Sequence, residues 1–199
     1  AARSSRGVVL EMDGIAMVTA EAPDEALRLL EAVPEANTWN VMGGALTQAV
    51  AEALDLEEGS RCYQAAYFRG DPLPVRADVR PLDMSFFQAV LDGYSLFHDP
   101  EYVEDRLKAG VIFGAFVDGC LAGFVGEHHE GSMGMLEVFP PYRGHGLGLA
   151  LESFQINRYL SQGRVPFDQV IVGNEKSMGL QRKVGMELSK DTMSWLHRK

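Results

Sequence analysis

The sequence predicts a mixed α/β fold, and three observations carry that prediction. The run Val138-Phe-Pro-Pro-Tyr-Arg143-Gly-His-Gly146-Leu-Gly148 reads as a strand ending in a glycine turn, and a helical pattern from Leu149 to Leu160 follows at once. Asp13-Gly14 and Asp118-Gly119 each lie between short apolar segments, which is the signature of a hairpin turn. Helical and extended patterns alternate along the rest of the chain, with no internal repeat and no low-complexity tract.

Taken in order, residues 8 to 20 form two strands around Asp13-Gly14, and residues 23 to 33 form a helix with Pro23 near its start and Pro34 just after its end. A helix is expected from Met42 to Leu56 and a strand from Arg61 to Phe68. The turn-rich Arg69-Gly-Asp-Pro-Leu-Pro74 then divides a smaller α/β part, residues 1–74, from a larger domain, residues 75–199. In the larger domain a strand at Asp78 to Pro81 precedes helices at Ser85 to Leu96 and Asp99 to Ala109. Strands at Val111 to Val117, Cys120 to Glu127 and residues 132–139 lead to the glycine turn and the long helix. A strand at Gln169 to Val172, a helix at Ser177 to Val184 and a strand within Glu187 to Leu196 complete the order.

Composition narrows the function classes. The 199 residues are 46% hydrophobic, enough for a real core. No apolar run approaches the roughly 20 residues that span a bilayer, and residues 1–20 lack the order of a signal peptide, so the expectation is a cytoplasmic protein without membrane association. Acids outnumber bases 28 to 18, a net charge of −10, which argues against nucleic acid as a partner. The excess is concentrated in residues 1–75, with 12 acids and 5 bases, against 16 and 13 in the remainder. Cys62 and Cys120 are far apart and lack metal spacing, so they are expected as reduced thiols, and no metal site is expected.

The turn at 143–148 has the chemistry of an anion site. Glycines at 144, 146 and 148 allow backbone N–H groups to converge, the first turn of the following helix adds unpaired N–H donors and the positive end of its dipole, and Arg143 adds a fixed charge. The spacing is neither Gly-x-Gly-x-x-Gly nor the phosphate loop that ends in Lys-Ser/Thr. It does match Arg/Gln-x-x-Gly-x-Gly/Ala, so the chain resembles the GNAT N-acetyltransferase superfamily. A second match follows downstream in Val170-Ile-Val-Gly-Asn174-Glu-Lys-Ser177-Met-Gly-Leu180-Gln181-Arg-Lys183-Val-Gly185-Met186. The resemblance covers about residues 75–199. It implies the GNAT fold, a mixed and mostly antiparallel sheet flanked by helices, and suggests for residues 1–74 a truncated copy of the same fold, as in proteins similar to glycine N-acyltransferase. Two departures stand inside it: Gln181 occupies the place of the family's usual Tyr acid, and Ser132 falls about where several members place a Glu base.

The resemblance implies an acyl-CoA-dependent N-acyltransferase, most simply transferring acetyl from acetyl-CoA to a primary amine on a small molecule or peptide by direct attack in a ternary complex. The alternative is a non-catalytic acyl-CoA-binding or sensor module of the same fold, and a homodimer stays open. The pyrophosphate is expected on the backbone from Arg143 through Gly144, His145, Gly146, Leu147 and Gly148, with the thioester carbonyl on an N–H at Val138 or Phe139. Asn174, Ser177 and Gln181 are the further expected cofactor contacts. For the base that takes the amine proton, the run Gly126-Glu127-His128-His129-Glu130-Gly131-Ser132-Met-Gly-Met-Leu-Glu137 holds the densest titratable group. An extended backbone puts Glu137 on one face with Met135 and Phe139, and puts His128 and Glu130 together on one side. The acceptor side is expected at the link Tyr94-Ser-Leu-Phe97-His98-Asp99-Pro100-Glu-Tyr102.

Overall fold

The computed structural model describes every residue except Phe97, which belongs to the expected acceptor link and lies outside the described residues. The fold is mixed α/β, and the described residues form eleven strands in a mostly antiparallel arrangement and six helices. The chain divides into two compact units: residues 1–64, 169–174 and 188–199 form the first, and residues 65–168 and 175–187 form the second. The Gly/Pro stretch at 69–74 lies inside the second unit.

In the first unit β1 (Ala2–Arg3), β2 (Gly7–Met12) and β3 (Ile15–Ala20) are antiparallel neighbours. Asp13 and Gly14 turn the hairpin with φ of 51° and 79°, as the Asp-Gly pair predicted. Helix α1 (Pro23–Leu30) then carries the chain over to β4 (Thr38–Met42), which lies parallel to β3. β4 is an addition to the sequence reading, although its β-rich Thr-Trp-Asn-Val-Met run between Pro34 and Gly43 is a strand signal. The helix expected from Met42 to Leu56 is confined to α2 (Gly44–Leu54), because Gly43 at φ 96° and the left-handed Asp55 at φ 53° close it at both ends. β5 (Leu56–Ala66) follows. The last strand, β11 (Glu187–Arg198), pairs antiparallel with β4 from Met193 opposite Met42 to His197 opposite Thr38, and its Leu196 is fully buried with Val9, Ala16, Ala26 and Val41.

In the second unit β6 (Asp78–Pro81), β7 (Phe113–Val117), β8 (Cys120–Glu127) and β9 (Met133–Val138) form an antiparallel meander, and Asp168 of β10 (Phe167–Ile171), a strand whose residues 169–171 belong to the first unit, pairs in parallel with Met133. One face buries Phe124, Met135 and Ile112 against α3 (Phe87–Gly93) and α4 (Pro100–Lys108). The other buries Ala115, Ala122 and Val125 against Leu147 and Leu151 of α5 (Leu147–Ser161). Helix α6 (Glu175–Val184) packs on α5. The helix expected at Ser85 to Leu96 is shorter than its pattern: a 3-10 turn at Met84–Phe86, capped by Asp83, precedes α3, and the chain is extended again at Tyr94.

Candidate functional site

The glycine turn has the geometry that its sequence asked for. Gly144 and Gly146 have φ of 82° and 81°, and an added Cβ at either would meet nothing within 4 Å, so these glycines serve backbone conformation and leave open space above the turn. Gly146 caps α5 without a side-chain bond, and the first helical bond runs from Ala150 N–H to its carbonyl at 3.1 Å. The N–H groups of Leu147, Gly148 and Leu149 therefore precede the helical ladder, at the positive end of a 15-residue helix. Arg143, Gly144, His145 and Gly146 are exposed, Gly148 is half-buried and Leu147 is buried, packed on Val125 of the sheet. These donors and the open volume fit a diphosphate.

The end of β9 lies next to this turn. The ladder between β8 and β9 pairs Gly123 with Val138 and Phe124 with Glu137, and Phe139 N–H donates to Ala122 C=O at 2.9 Å. Antiparallel alternation then turns the N–H and C=O of Val138 away from β8. The Arg143 Nε–H donates to that Val138 carbonyl at 2.8 Å, which ties the turn to the strand. A register shift between Phe124 and Gly126, with Met135 at φ 49°, marks a bulge in β9. Across it Met135 packs toward α3 and α4 while Leu136 and Val138 pack toward α5.

Glu137 and Phe139 reach the α3 side, as the sequence pattern required. The Glu137 carboxylate is half-buried and accepts from Ser95 N–H at 3.1 Å and from the Ser95 hydroxyl. His128 and Glu130 stand in the turn after β8, closed by His128 N–H to Ser132 C=O at 2.9 Å and Gly131 N–H to His128 C=O at 3.0 Å. His128 Nδ1 bonds the Tyr102 hydroxyl, and burial holds its imidazole below the usual histidine range, so the ring is neutral near pH 7. Its Nε2 lies over Gly134, where an added Cβ would be 2.2 Å away. Glu130 is buried and accepts from the Ser132 hydroxyl, so a carboxylate reaches Ser132 from two residues upstream. Helix α5 anchors this turn: Arg158 bonds Glu127 at 2.9 Å and the Tyr159 hydroxyl donates to Gly131 C=O at 3.1 Å. Tyr94 is buried against Phe124, and burial raises its phenol above the ordinary range.

The remaining expected contacts are distributed along the end of β10 and α6. Asn174 is exposed, with its N–H on Ile171 C=O at 3.0 Å, and Ser177 is half-buried in the first turn of α6. Gln181 is 1% exposed and donates its amide to Asp168 Oδ2 at 2.7 Å. The sequence reading missed the groups around it. Glu152 of α5 is 2% exposed, and its carboxyl is pushed up to about 8, first by burial and then by the charge of Asp168. A Glu four residues after Gly148 inside an apolar helical face was the available signal. Among the described residues no group of three or more His, Cys, Asp or Glu could hold a metal ion, and no helix is long and apolar enough to cross a membrane.

No family model matches the chain, and no curated protein matches it by sequence. Solved structures do match in shape. A Drosophila protein determined as a structural genomics target has a TM-score of 0.70 at 17% identity, over 97% of this chain and 74% of that one. An acetyltransferase from the GNAT family of Colwellia psychrerythraea reaches 0.62 at 13% identity, over 97% and 81%. A tandem GNAT protein from the clavulanic acid biosynthesis pathway reaches 0.56 at 16% identity, over 98% and 80%. The fold of this chain is therefore that of the GNAT acetyltransferases.

Proposed function

We propose that the protein is an acyl-CoA-dependent N-acyltransferase, most simply moving acetyl from acetyl-CoA to a primary amine by direct attack in a ternary complex. The observation that carries this reading is the open glycine turn at the start of α5, with its N–H donors next to the outward-facing peptide edge of Val138. In this reading the backbone from Arg143 to Gly148 holds the diphosphate, with Asn174 and Ser177 as further contacts. The Val138 N–H polarises the thioester carbonyl and stabilises the oxyanion as it forms. Glu137, on the face of β9 that meets the Tyr94-to-Tyr102 link, takes the amine proton. The N-terminal part, residues 1–74, is a truncated copy of the same fold, a reading supported by the likeness to a tandem protein over 98% of this chain.

A second reading, a non-catalytic acyl-CoA sensor, draws on Gln181, whose buried amide is engaged by Asp168. Calorimetric titration with acetyl-CoA, followed by thiol release with a panel of amines, separates the two. Saturable binding with amine-dependent thiol release is expected; binding without release would establish the sensor, and no binding would remove both.

A further inference from the structure

The Glu137 carboxylate is held by a single residue of the link between α3 and α4. Ser95 donates to it twice, from its N–H at 3.1 Å and from its hydroxyl, and both donors meet the same oxygen, Oε1. The second oxygen, Oε2, has no hydrogen-bond partner among the described residues, and no Lys or Arg among them pairs with Glu137. One oxygen is thus anchored by neutral donors while the other is open, so the carboxylate is oriented and still lacks a counter-charge.

Close packing at the end of α3 puts Ser95 there. Gly93, the last residue of α3, lies so near Phe139 that an added Cβ would stand 2.5 Å from the ring's Cε1. Phe139 in turn packs edge-on against Phe124, with ring centroids 6.0 Å apart. Tyr94 follows Gly93, is 5% exposed, and sets its own ring edge-on to Phe124 at 6.5 Å. Its backbone is extended, with φ −79° and ψ 111°, which ends α3 and leaves Ser95 exposed beside Glu137. Phe139 and Glu137 share one face, so the helix end that packs on the first brings the link to the second.

We propose that Ser95 is a positioning residue for the acyl transfer: its two bonds fix the Glu137 carboxylate so that Oε2 meets the acceptor, which arrives as a protonated primary ammonium. This rests on the acyl-transfer reading above, with Glu137 as base. The ammonium gives one proton to Oε2, the electron pair of that N–H bond stays on nitrogen, and Glu137 becomes a neutral acid that returns the proton to solvent. The neutral amine then attacks the thioester carbonyl carbon, the electron pair of the C–S bond goes to sulfur, and a second nitrogen proton passes through solvent to the sulfur. A free glutamate side chain turns about several single bonds, and a base displaced by about 1 Å can lose about a hundredfold in rate. Removing one of the two anchors is therefore expected to cost about tenfold.

The test combines turnover with an accepted amine, calorimetry with acetyl-CoA and amide NMR, all on the full chain. Ser95→Ala is expected to lower kcat about tenfold with acetyl-CoA affinity unchanged, and Ser95→Thr, which keeps the hydroxyl, to bring kcat back to within about twofold of wild type. In a Glu137→Gln background the same Ser95→Ala is expected to cost less than about twofold, because a residue that acts through the carboxylate then has no base to position. A folded Ser95→Ala with wild-type kcat overturns the proposal, as does an equal loss in both backgrounds; either leaves the acyl-transfer reading in place. The Ser95 amide resonance is expected to move when Glu137→Ala removes its acceptor, and an unmoved resonance overturns the proposal whether or not the Ser95 variants fold. Glu137→Gln at wild-type turnover removes the base assignment, and wild-type protein that binds acetyl-CoA but releases no thiol to any amine removes the transfer reading; this proposal falls with either.

Discussion

Single atoms decide what the glycine turn at 143–148 tolerates. Gly146 has room for a side chain but holds a left-handed conformation, so Gly146→Asp costs about 1–2 kcal/mol of strain and leaves the fold standing. Its carboxylate would face the diphosphate in the proposed complex, and acetyl-CoA affinity should fall at least about a hundredfold by calorimetry. Unchanged affinity in a folded variant would remove the turn from the site. Gly123 behaves differently, because its added Cβ would lie 2.4 Å from the carbonyl oxygen of Glu137, a backbone atom that has to move. Gly123→Ala should therefore lower the melting temperature and shift the amide resonances of Glu137 and Val138; a neutral result would mean that the β8–β9 ladder is slack at the bulge. For the base, Glu137→Gln keeps shape and the bond from Ser95 but removes basicity, so turnover should drop by about a hundredfold with acetyl-CoA affinity retained. His128→Asn and Glu130→Gln should cost much less, and the opposite ranking would move the base to the turn after β8.

Elements matter where two of them enclose a group that neither encloses alone. Glu152 has an amphipathic position on α5, yet α6 and β10 remove it from water and Asp168 adds like charge, which raises its carboxyl to about 8. The unfolded chain releases this proton near 4.5 while the folded chain keeps it to about 8. Stability from this group is full below pH 4.5 and is lost as pH rises to 8, by roughly 3 to 5 kcal/mol. Chemical denaturation of Glu152→Gln across that range should show the slope gone and the variant more stable than wild type at pH 8. Equal slopes would mean that Glu152 is ionised in the folded protein at neutral pH. The opposite sign governs Glu25, which the Arg28 hydrogen bond holds down at about 2; its contribution is lost only as pH falls from 4.5 toward 2.

At the scale of the molecule, the order of the chain and the order of its packing differ. β11 comes last in sequence but pairs with β4, buries Leu196 in the core of the first unit, and places the Trp195 indole N–H on Gln169 at 2.8 Å. Truncation after Glu187 removes those partners while leaving α5, α6 and the β6–β9 meander complete. Hydrogen exchange should then show lost protection at Val9, Val18 and Val41, with protection kept at Val125 and Leu151. Retained protection in β2 to β4 would show that residues 1–64 hold their core without β11.

Much of this fold was legible because local chemistry decides it. The Asp-Gly hairpins, Pro23 at a helix start and the glycine turn before α5 are set by backbone preferences that act within a few residues, and the structure reproduces each. Glu137 was placed on the correct face by simple alternation. Other features depended on contacts that no local pattern contains. β4 is not settled by local pattern, because its half-apolar run becomes a strand only between β3 and β11. Nothing in the sequence pattern marks a role for Glu152, and Gln181 stands there only as a departure from the family's usual Tyr. The sequence by itself determined most of the elements, their order and the backbone conformation of the glycine turn, since those follow from dihedral preference and hydrophobic period. Tertiary structure alone decided that Glu152, Asp168 and Gln181 share one enclosure, because desolvation and the field of a neighbouring carboxylate exist only once α5, α6 and β10 have packed together.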